Sequence, residues 1–317
     1  MKHRLLGRTG LRVSEVAFGG VEIGMPYGIG TAGKTEMPEE SAAIDLLHEA
    51  VKQEVNFFDT ARLYGDSERL MGVAFEEIRS EIVLATKCIH FRNSLGNIPC
   101  YDELKTIVHQ SLEQSLTSLR TDYIDVFMVH YADLDILNNH DVARIFLDLK
   151  NQGRVRNIGV SVYRAEESLL AVESGIWDVV QLPFNLMDQS HAICFDQAKE
   201  KGIAIIVRSV LMRGLLTDRI FPMDSALQSV ANHIAMLRDI AGHHFDSFAA
   251  YATKFALRYE QVSSVLVGID KEEFLLAAIA NVSGQGLNDQ IFADSKKLAY
   301  PSPECLNLAE WDKKGWL

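Results

Sequence analysis

Short apolar runs alternate with longer stretches of mixed polarity along the whole chain. Eight runs stand out: EVAFGG (15–20), VNFFDT (55–60), EIVLATK (81–87), YIDVFMVH (123–130), VRNIGVS (155–161), WDVVQL (177–182), IAIIVRS (203–209) and SSVLVG (263–268). The segments between them carry helical spacing. The clearest is ELKTIVHQSLEQSLTSL, which puts Leu104, Ile107, Val108, Leu112, Leu116 and Leu119 on one side. SAAIDLLHEAVKQ, ESLLAVESG, the run from Asp188 to Lys201, and FAAYATKFALRY read the same way. Strands that are apolar on both faces are those that helices cover, which is the habit of parallel sheets. Eight such strand-helix units in a chain of 317 residues predict an α/β fold, a closed (β/α)8 TIM barrel.

The remaining segments predict the trimmings. RLLGRTGLRVSEV reads as an N-terminal β-hairpin turning at Thr9-Gly10 and plugging the barrel's bottom. Residues 218–245, rich in His, Asp and Met, read as a long insertion ahead of the seventh helix. The tail from Phe292 reads as a C-terminal extension, packed as a lid or a helix. No Pro/Gly/Ser-rich linker divides the chain, so residues 1–317 are expected to form a single barrel domain.

Charge and cysteine content narrow the partners. With 31 basic and 43 acidic side chains the formal charge is −12. An acidic surface disfavours nucleic acid and anionic membrane as partners. No apolar run approaches the length of a membrane span, and the N-terminus lacks the apolar core of a secretory signal. Cys88, Cys100, Cys194 and Cys305 lie far apart, which suits reduced thiols in a cytoplasmic protein.

Chemistry in such a barrel gathers at the C-terminal ends of the strands. Asp59 ends the second run, Lys87 the third and His130 the fourth, and Tyr64 lies in the loop just after Asp59. As a set they make a carbonyl-reducing site. A phenol titrates near pH 10 and is a poor acid at neutral pH. A neighbouring ammonium stabilises its conjugate base. That ammonium needs a carboxylate partner if it is to stay buried and charged. A histidine can orient and polarise a carbonyl oxygen. The expected roles are Tyr64 as general acid, Lys87 as tuner, Asp59 as anchor and His130 as orienter.

DTARLYGDSE (59–68), LATK ending at Lys87, DVFMVH ending at His130 and RNIGVS (156–161) together resemble the aldo-keto reductases, from LGRTGLRVSEVAFGG to VSSVLVG. The resemblance implies interconversion of a carbonyl (aldehyde, ketone or sugar) and its alcohol, with hydride from NAD(P)H and no metal. It carries Asp59, Tyr64, Lys87 and His130 over as the family's tetrad. It also matches Ser161 and Gln181 to contacts with the nicotinamide carboxamide, and Ser209 and Leu211 to the start of the loop that wraps the pyrophosphate. Two departures accompany these matches. Val162 stands where asparagine is usual, and Arg208 stands where many members stack a tyrosine under the nicotinamide. A cation there is expected to favour the reduced dinucleotide over the oxidised one.

The stretch after Gly268 leaves NADH against NADPH open. VGIDKEEFLLAAIAN sets Asp270, Glu272 and Glu273 around one base, Lys271, where NADP-preferring members carry basic and hydroxyl residues. A carboxylate suits a ribose 2′-hydroxyl and repels a 2′-phosphate. The same acids also suit the first turn of a helix. The family habit points to NADPH, the local chemistry to NADH. On the same barrel, a non-catalytic dinucleotide-sensing or regulatory subunit is the alternative reading.

Other motifs carry less. Gly28, Gly30 and Gly33 lack the full P-loop pattern and are read as a first loop at the barrel mouth, with Tyr27 beside it. His233, His243 and His244, with Asp239, fit no strong zinc spacing and read as surface histidines of a mobile loop, with no metal expected. Alternation sends Cys88 away from Lys87 and into packing. Ser161 has no paired base for a hydrolase triad. Arg62, Tyr27, His90, Phe91 and Tyr131 are the residues that could face a hydroxylated substrate such as a sugar.

Overall fold

The computed structural model describes residues 1–27, 37–220 and 222–316. The glycine-rich stretch with Gly28, Gly30 and Gly33 lies outside the described residues. Strands β1 (His3–Leu5) and β2 (Arg12–Ser14) pair antiparallel as a hairpin. Then follow β3 (Val16–Gly19), β4 (Phe57–Asp59), β5 (Val83–Lys87), β6 (Ile124–Val129), β7 (Val155–Ser161), β8 (Val179–Pro183), β9 (Ala204–Arg208) and β10 (Val262–Gly268). These pair in parallel, each with the next, and β10 returns to β3 to close the barrel. All eight apolar runs of the sequence are barrel strands.

The covering helices are α1 (Glu40–Lys52), α2 (Ser67–Phe75), α3 (Tyr101–Ser118), α4 (His140–Asn151), α5 (Ala165–Ser174), α6 (Phe195–Glu200), α7 (Gln228–Ala241), α8 (Phe248–Leu257) and α9 (Glu272–Val282), followed by α10 (Asp289–Lys297) and α11 (Leu308–Lys313). The run from Asp188 to Lys201 divides into a 3-10 turn, Ser190–Cys194, and the short α6. α4 belongs to no segment singled out in the sequence, yet it buries Val142, Ile145, Phe146 and Leu149 at helical spacing. Its start is set by Asn139, whose side chain accepts from the backbone N–H groups of Asp141 and Val142.

Residues 218–245 differ from the expected mobile insertion. Val230, His233, Ile234, Leu237 and Ala241 form a buried stripe on α7. His233 is therefore no surface histidine: its Nε2 lies 2.8 Å from the Leu298 carbonyl oxygen, and its ring meets Tyr300 edge-on. The tail packs over the same helix, with Tyr300 N–H donating to the Met187 carbonyl at 2.7 Å. It is helical cladding on the barrel flank. No helix among the described residues is long and apolar enough to cross a membrane.

Alternation along each strand sorts the side chains into two cores. Phe58, Leu84, Phe127, Val160, Val180 and Val207 face the helices. Ala17, Phe57, Val83, Ala85, Val126, Met128, Val179, Ala204 and Ile206 fill the barrel interior. Leu6 and Val13 of the hairpin join this inner cluster beside the strands' N-terminal ends, so the hairpin is the expected bottom plug. The same parity, continued upward, aims Asp59, Lys87, His130, Ser161, Gln181, Arg208 and Gly268 inward at the C-terminal end.

The plug packs into the inner cluster at the end of the barrel opposite the tetrad. Leu6→Ala is expected to lower stability by about 2–5 kcal/mol through the cavity it leaves. Urea unfolding reads that loss, and turnover per folded molecule should stay at the wild-type level.

Candidate active site

Phe57, Phe58 and Asp59 alternate in, out, in, so the carboxylate of Asp59 enters the barrel as the last residue of β4. Val83, Ala85 and Lys87 repeat the pattern on β5. The two side chains meet as a fully buried ion pair between Lys87 Nζ and Asp59 Oδ1. Lys87 Nζ also donates to the Thr60 carbonyl at 3.0 Å. The other carboxylate oxygen of Asp59 accepts from Gln181 Nε2 at 2.8 Å. Gln181, matched by resemblance to a cofactor contact, thus has its amide nitrogen engaged across the barrel.

The Tyr64 ring lies over Lys87, with Nζ 4.9 Å from the ring centroid. It also meets His130 edge-on at 5.4 Å between centroids. All four expected residues converge on one end of the barrel. The loop that carries Tyr64 turns through Gly65 at φ +53°, pressed against the Gly24 backbone, where a Cβ would clash. Thr60 Oγ1 donates to Ser67 Oγ at 2.8 Å, closing the loop onto the start of α2.

Burial governs the protonation of this group. It pushes the Tyr64 phenol well above its ordinary value, helped by the nearby Asp59 carboxylate. It pulls the Lys87 ammonium down, opposed by Asp59. It brings His130 down to about 2, with the Lys87 charge adding to the effect. The ammonium was expected to lower the phenol's pKa. Here it sits over the face of the ring, its hydrogen bonds go to Asp59 and Thr60, and desolvation prevails. Tyr64 is a protonated phenol, and His130 a neutral imidazole whose buried Nδ1 has no partner among the described residues.

The cofactor-matched residues lie on adjoining strands. Ser161, buried, pairs in register with Gln181. Val162 turns outward into the helix-facing core, so it takes no part in the mouth. Arg208 points inward, but its guanidinium leans over the Tyr163 ring at 4.1 Å and donates to the Val162 carbonyl at 2.9 Å. Beyond it, Ser209, Met212 and Arg213 all have positive φ, an uncommon run for residues with side chains. The Ser209 carbonyl accepts from Asn185 Nδ2 at 3.2 Å. Arg213 lies over the Tyr27 ring at 4.9 Å. Hydroxyl and amide groups on β7 and β8, and two cations with a strained turn after β9, fit a nicotinamide dinucleotide lying across these strands.

Two residues facing this end, Tyr163 and Glu22, were not foreseen. Tyr163 lies under the Arg208 guanidinium and meets Tyr131 edge-on. Glu22 follows the Gly19-Gly20 end of the first apolar run, and its carboxylate packs against Gly268, where any Cβ would collide with it. Reading strand ends for polar groups would have found it. His90 contacts His130 ring to ring at 5.1 Å. Phe91 is buried, and with His90, Arg92, His130 and Tyr131 it lines a cavity of about 90 Å³. Arg62 turns away from the mouth toward Glu68. Cys88 packs in the outer core, its thiol pushed up to about 12 by burial.

An eight-stranded parallel barrel thus gathers a buried Asp–Lys pair, a tyrosine and a histidine at one end. A sequence model of the Aldo/keto reductase family matches residues 22–299, and the chain belongs to that family. It is an enzyme of a family whose oxidoreductases use nicotinamide cofactors. The chain is 28% identical over 322 residues to L-galactose dehydrogenase of Arabidopsis thaliana, covering 94% of each. It is 28% identical over 234 residues to the NADH-specific methylglyoxal reductase of Escherichia coli (strain K12), covering 69% of this chain and 70% of that one. Among solved structures, the holo form of aldo-keto reductase AKR11C1 from Bacillus halodurans superposes with a TM-score of 0.80 at 25% identity, over 94% of this chain and 96% of that one.

Glu22 makes the upper end sensitive to pH. Burial raises its carboxyl from 4.5 to about 7, with Asp270 adding to the rise and Arg213 opposing it. Between those two values the folded chain keeps a proton that the unfolded chain has released. Stability therefore falls as pH rises from 4.5 toward 7 and stays lowered above it. Glu22→Gln should raise the thermal midpoint at pH 8, by roughly 2–4 °C per kcal/mol recovered, and leave it unchanged near pH 4. Equal gains at both pH values in calorimetry would contradict this origin.

Proposed function

We propose that the chain reduces a carbonyl to an alcohol with Tyr64 as proton donor, and runs the reverse reaction when the oxidised cofactor is supplied. The convergence of Tyr64, His130 and the buried Lys87–Asp59 pair at one end of the barrel carries this reading. Bound NAD(P)H supplies the hydride. A neutral His130, able to donate one hydrogen bond, orients the substrate oxygen beside the Tyr64 hydroxyl. Tyr64 passes its proton to that oxygen as negative charge develops there. The phenolate left behind lies next to the Lys87 ammonium, whose charge stabilises it. Asp59 keeps that ammonium protonated in the barrel interior.

The dinucleotide reading rests on Ser161, Gln181, Arg208, Ser209, Leu211, Gly268 and Asp270, which border the same end. Strained backbone at Ser209, Met212 and Arg213 is the kind that ligand-clamping loops hold. Within this reading NADH is the preferred form. Asp270 is half-buried beside Glu22, while Glu272 and Glu273 are exposed in the first turn of α9. That surrounding repels a 2′-phosphate. The printed name of the E. coli relative points the same way for that protein.

A hydroxylated carbonyl compound or sugar suits the rim. His90, Tyr131 and Tyr163 are exposed rings strung between β5 and β8, and each offers an apolar surface beside a polar atom. Residues 1–317 would act as one barrel domain.

Two measurements test the reading. Tyr64→Phe should lower kcat for carbonyl reduction by about 100- to 10,000-fold while dinucleotide affinity stays within a few-fold, as followed by NADH absorbance and fluorescence titration. Loss of binding together with activity would make Tyr64 a structural residue instead. Titrated side by side, NADH should bind more tightly than NADPH, and Asp270→Asn should narrow the difference by about tenfold, or 1.4 kcal/mol. A wild-type preference for NADPH would reject the role given to the carboxylates.

A further inference from the structure

The motif that carries Asp59 and Tyr64 ends in a glutamate outside the tetrad. Glu68 sits in the first turn of α2 and is almost completely buried. Among the described residues, every partner it has is a side chain from an element that supports the tetrad. One carboxylate oxygen accepts from Thr86 Oγ1 at 2.6 Å and from Ser115 Oγ at 2.7 Å. The other pairs with Arg62, whose Nη1 also donates to Ser118 Oγ at 3.2 Å.

Those partners frame the proton-donating pair. Thr86 immediately precedes Lys87 on β5, and alternation turns it outward to Glu68 while Lys87 points in. Arg62 lies midway between Asp59 and Tyr64, and its backbone N–H donates to the Lys87 carbonyl at 3.2 Å. Ser115 and Ser118 belong to α3, behind the loop. Glu68 is thus bonded at once to the Tyr64 loop, to the residue before Lys87 and to the helix behind both.

We propose that Glu68 is a positioning residue that sets the placement of the Tyr64 hydroxyl relative to Lys87, and so controls the proton-transfer step without touching substrate or dinucleotide. A carboxylate suits this place because it accepts from two hydroxyls and a guanidinium together, and charge-assisted bonds hold geometry more tightly than neutral ones. Remote support of this sort matters because displacements near 1 Å cost on the order of 100-fold in rate. The inference rests on the assignment of Tyr64 and Lys87 given above.

Glu68→Gln tests it, because the amide keeps one oxygen for Thr86 and Ser115 and removes the charge facing Arg62. The assays use NADH with methylglyoxal, or with the first carbonyl in a screen that gives Tyr64-dependent turnover. We expect kcat to fall by about 10- to 100-fold, with KM and NADH affinity within about threefold and a folded far-UV spectrum. Arg62→Gln added to Glu68→Gln should cost little more than either change alone, since both remove one interaction. Wild-type kcat in folded Glu68→Gln overturns the proposal, as does a parallel loss of kcat and NADH affinity, which marks a merely structural role. If Glu68→Gln does not fold, Thr86→Val and Ser115→Ala release the anchors one at a time. Each should lower kcat with NADH affinity kept, and unchanged kcat in both rejects the idea. Tyr64→Phe, run alongside, separates the two levels. Retained turnover there removes the site assignment itself, whereas its loss beside an unaffected Glu68→Gln removes only the positioning role.

Discussion

An ammonium and a carboxylate face each other in the barrel interior, sealed from water, and the site depends on that pairing. Either charge alone at this depth would lack the partner that offsets its loss of water. Together, with Gln181 and the Thr60 carbonyl completing their hydrogen bonds, they hold a fixed positive charge under the Tyr64 ring. Breaking such a pair leaves an uncompensated buried charge, at about 3–5 kcal/mol. The barrel supplies what makes the pairing possible. Parallel neighbours in register bring the ends of β4 and β5 side by side, and β8 reaches across from the far wall.

Burial also accounts for the states of the other two groups. The same dry surroundings that oppose a free charge keep Tyr64 protonated and His130 neutral. Both can then act as hydrogen-bond donors to a carbonyl oxygen at neutral pH. The charge that develops on that oxygen is met by donors already in place and by one ammonium already paid for by its partner. Such preorganisation acts where the medium is least able to screen it.

The cofactor-facing half is built differently. Where the tetrad is held by a buried ion pair, the segment after β9 is held by tight turns in unfavourable backbone geometry and by cations lying on aromatic rings. Arg208 and Arg213 tie the end of β9 to Tyr163 and Tyr27, which come from loops on either side. A carboxyl at Glu22, half-titrated near neutrality and pressed on Gly268, gives the end of β10 an acidic character that extends through Asp270.

Much of this was legible in the residues themselves. Strand identity followed from eight continuous apolar runs, since a strand covered on both faces has no polar positions to confuse with a helix. Asp59, Lys87 and His130 were visible because a charged or polar group closing such a run has one place to go in a barrel. α7 was misjudged because its histidine, methionine and aspartate content hides an apolar stripe, Val230, Ile234 and Leu237, whose burial the fold alone reveals, with the tail meeting the same helix at His233. Single strand-end residues such as Glu22, and rings such as Tyr163, had no period to mark them. Sequence alone therefore determined the architecture and the chemical kinds present at the strand ends, because periodicity and parity are local properties. Tertiary structure alone decided which way Tyr64 and His130 titrate, which way Arg208 leans, and what Glu68 holds, because burial and partnership across distant strands exist only once the barrel has closed.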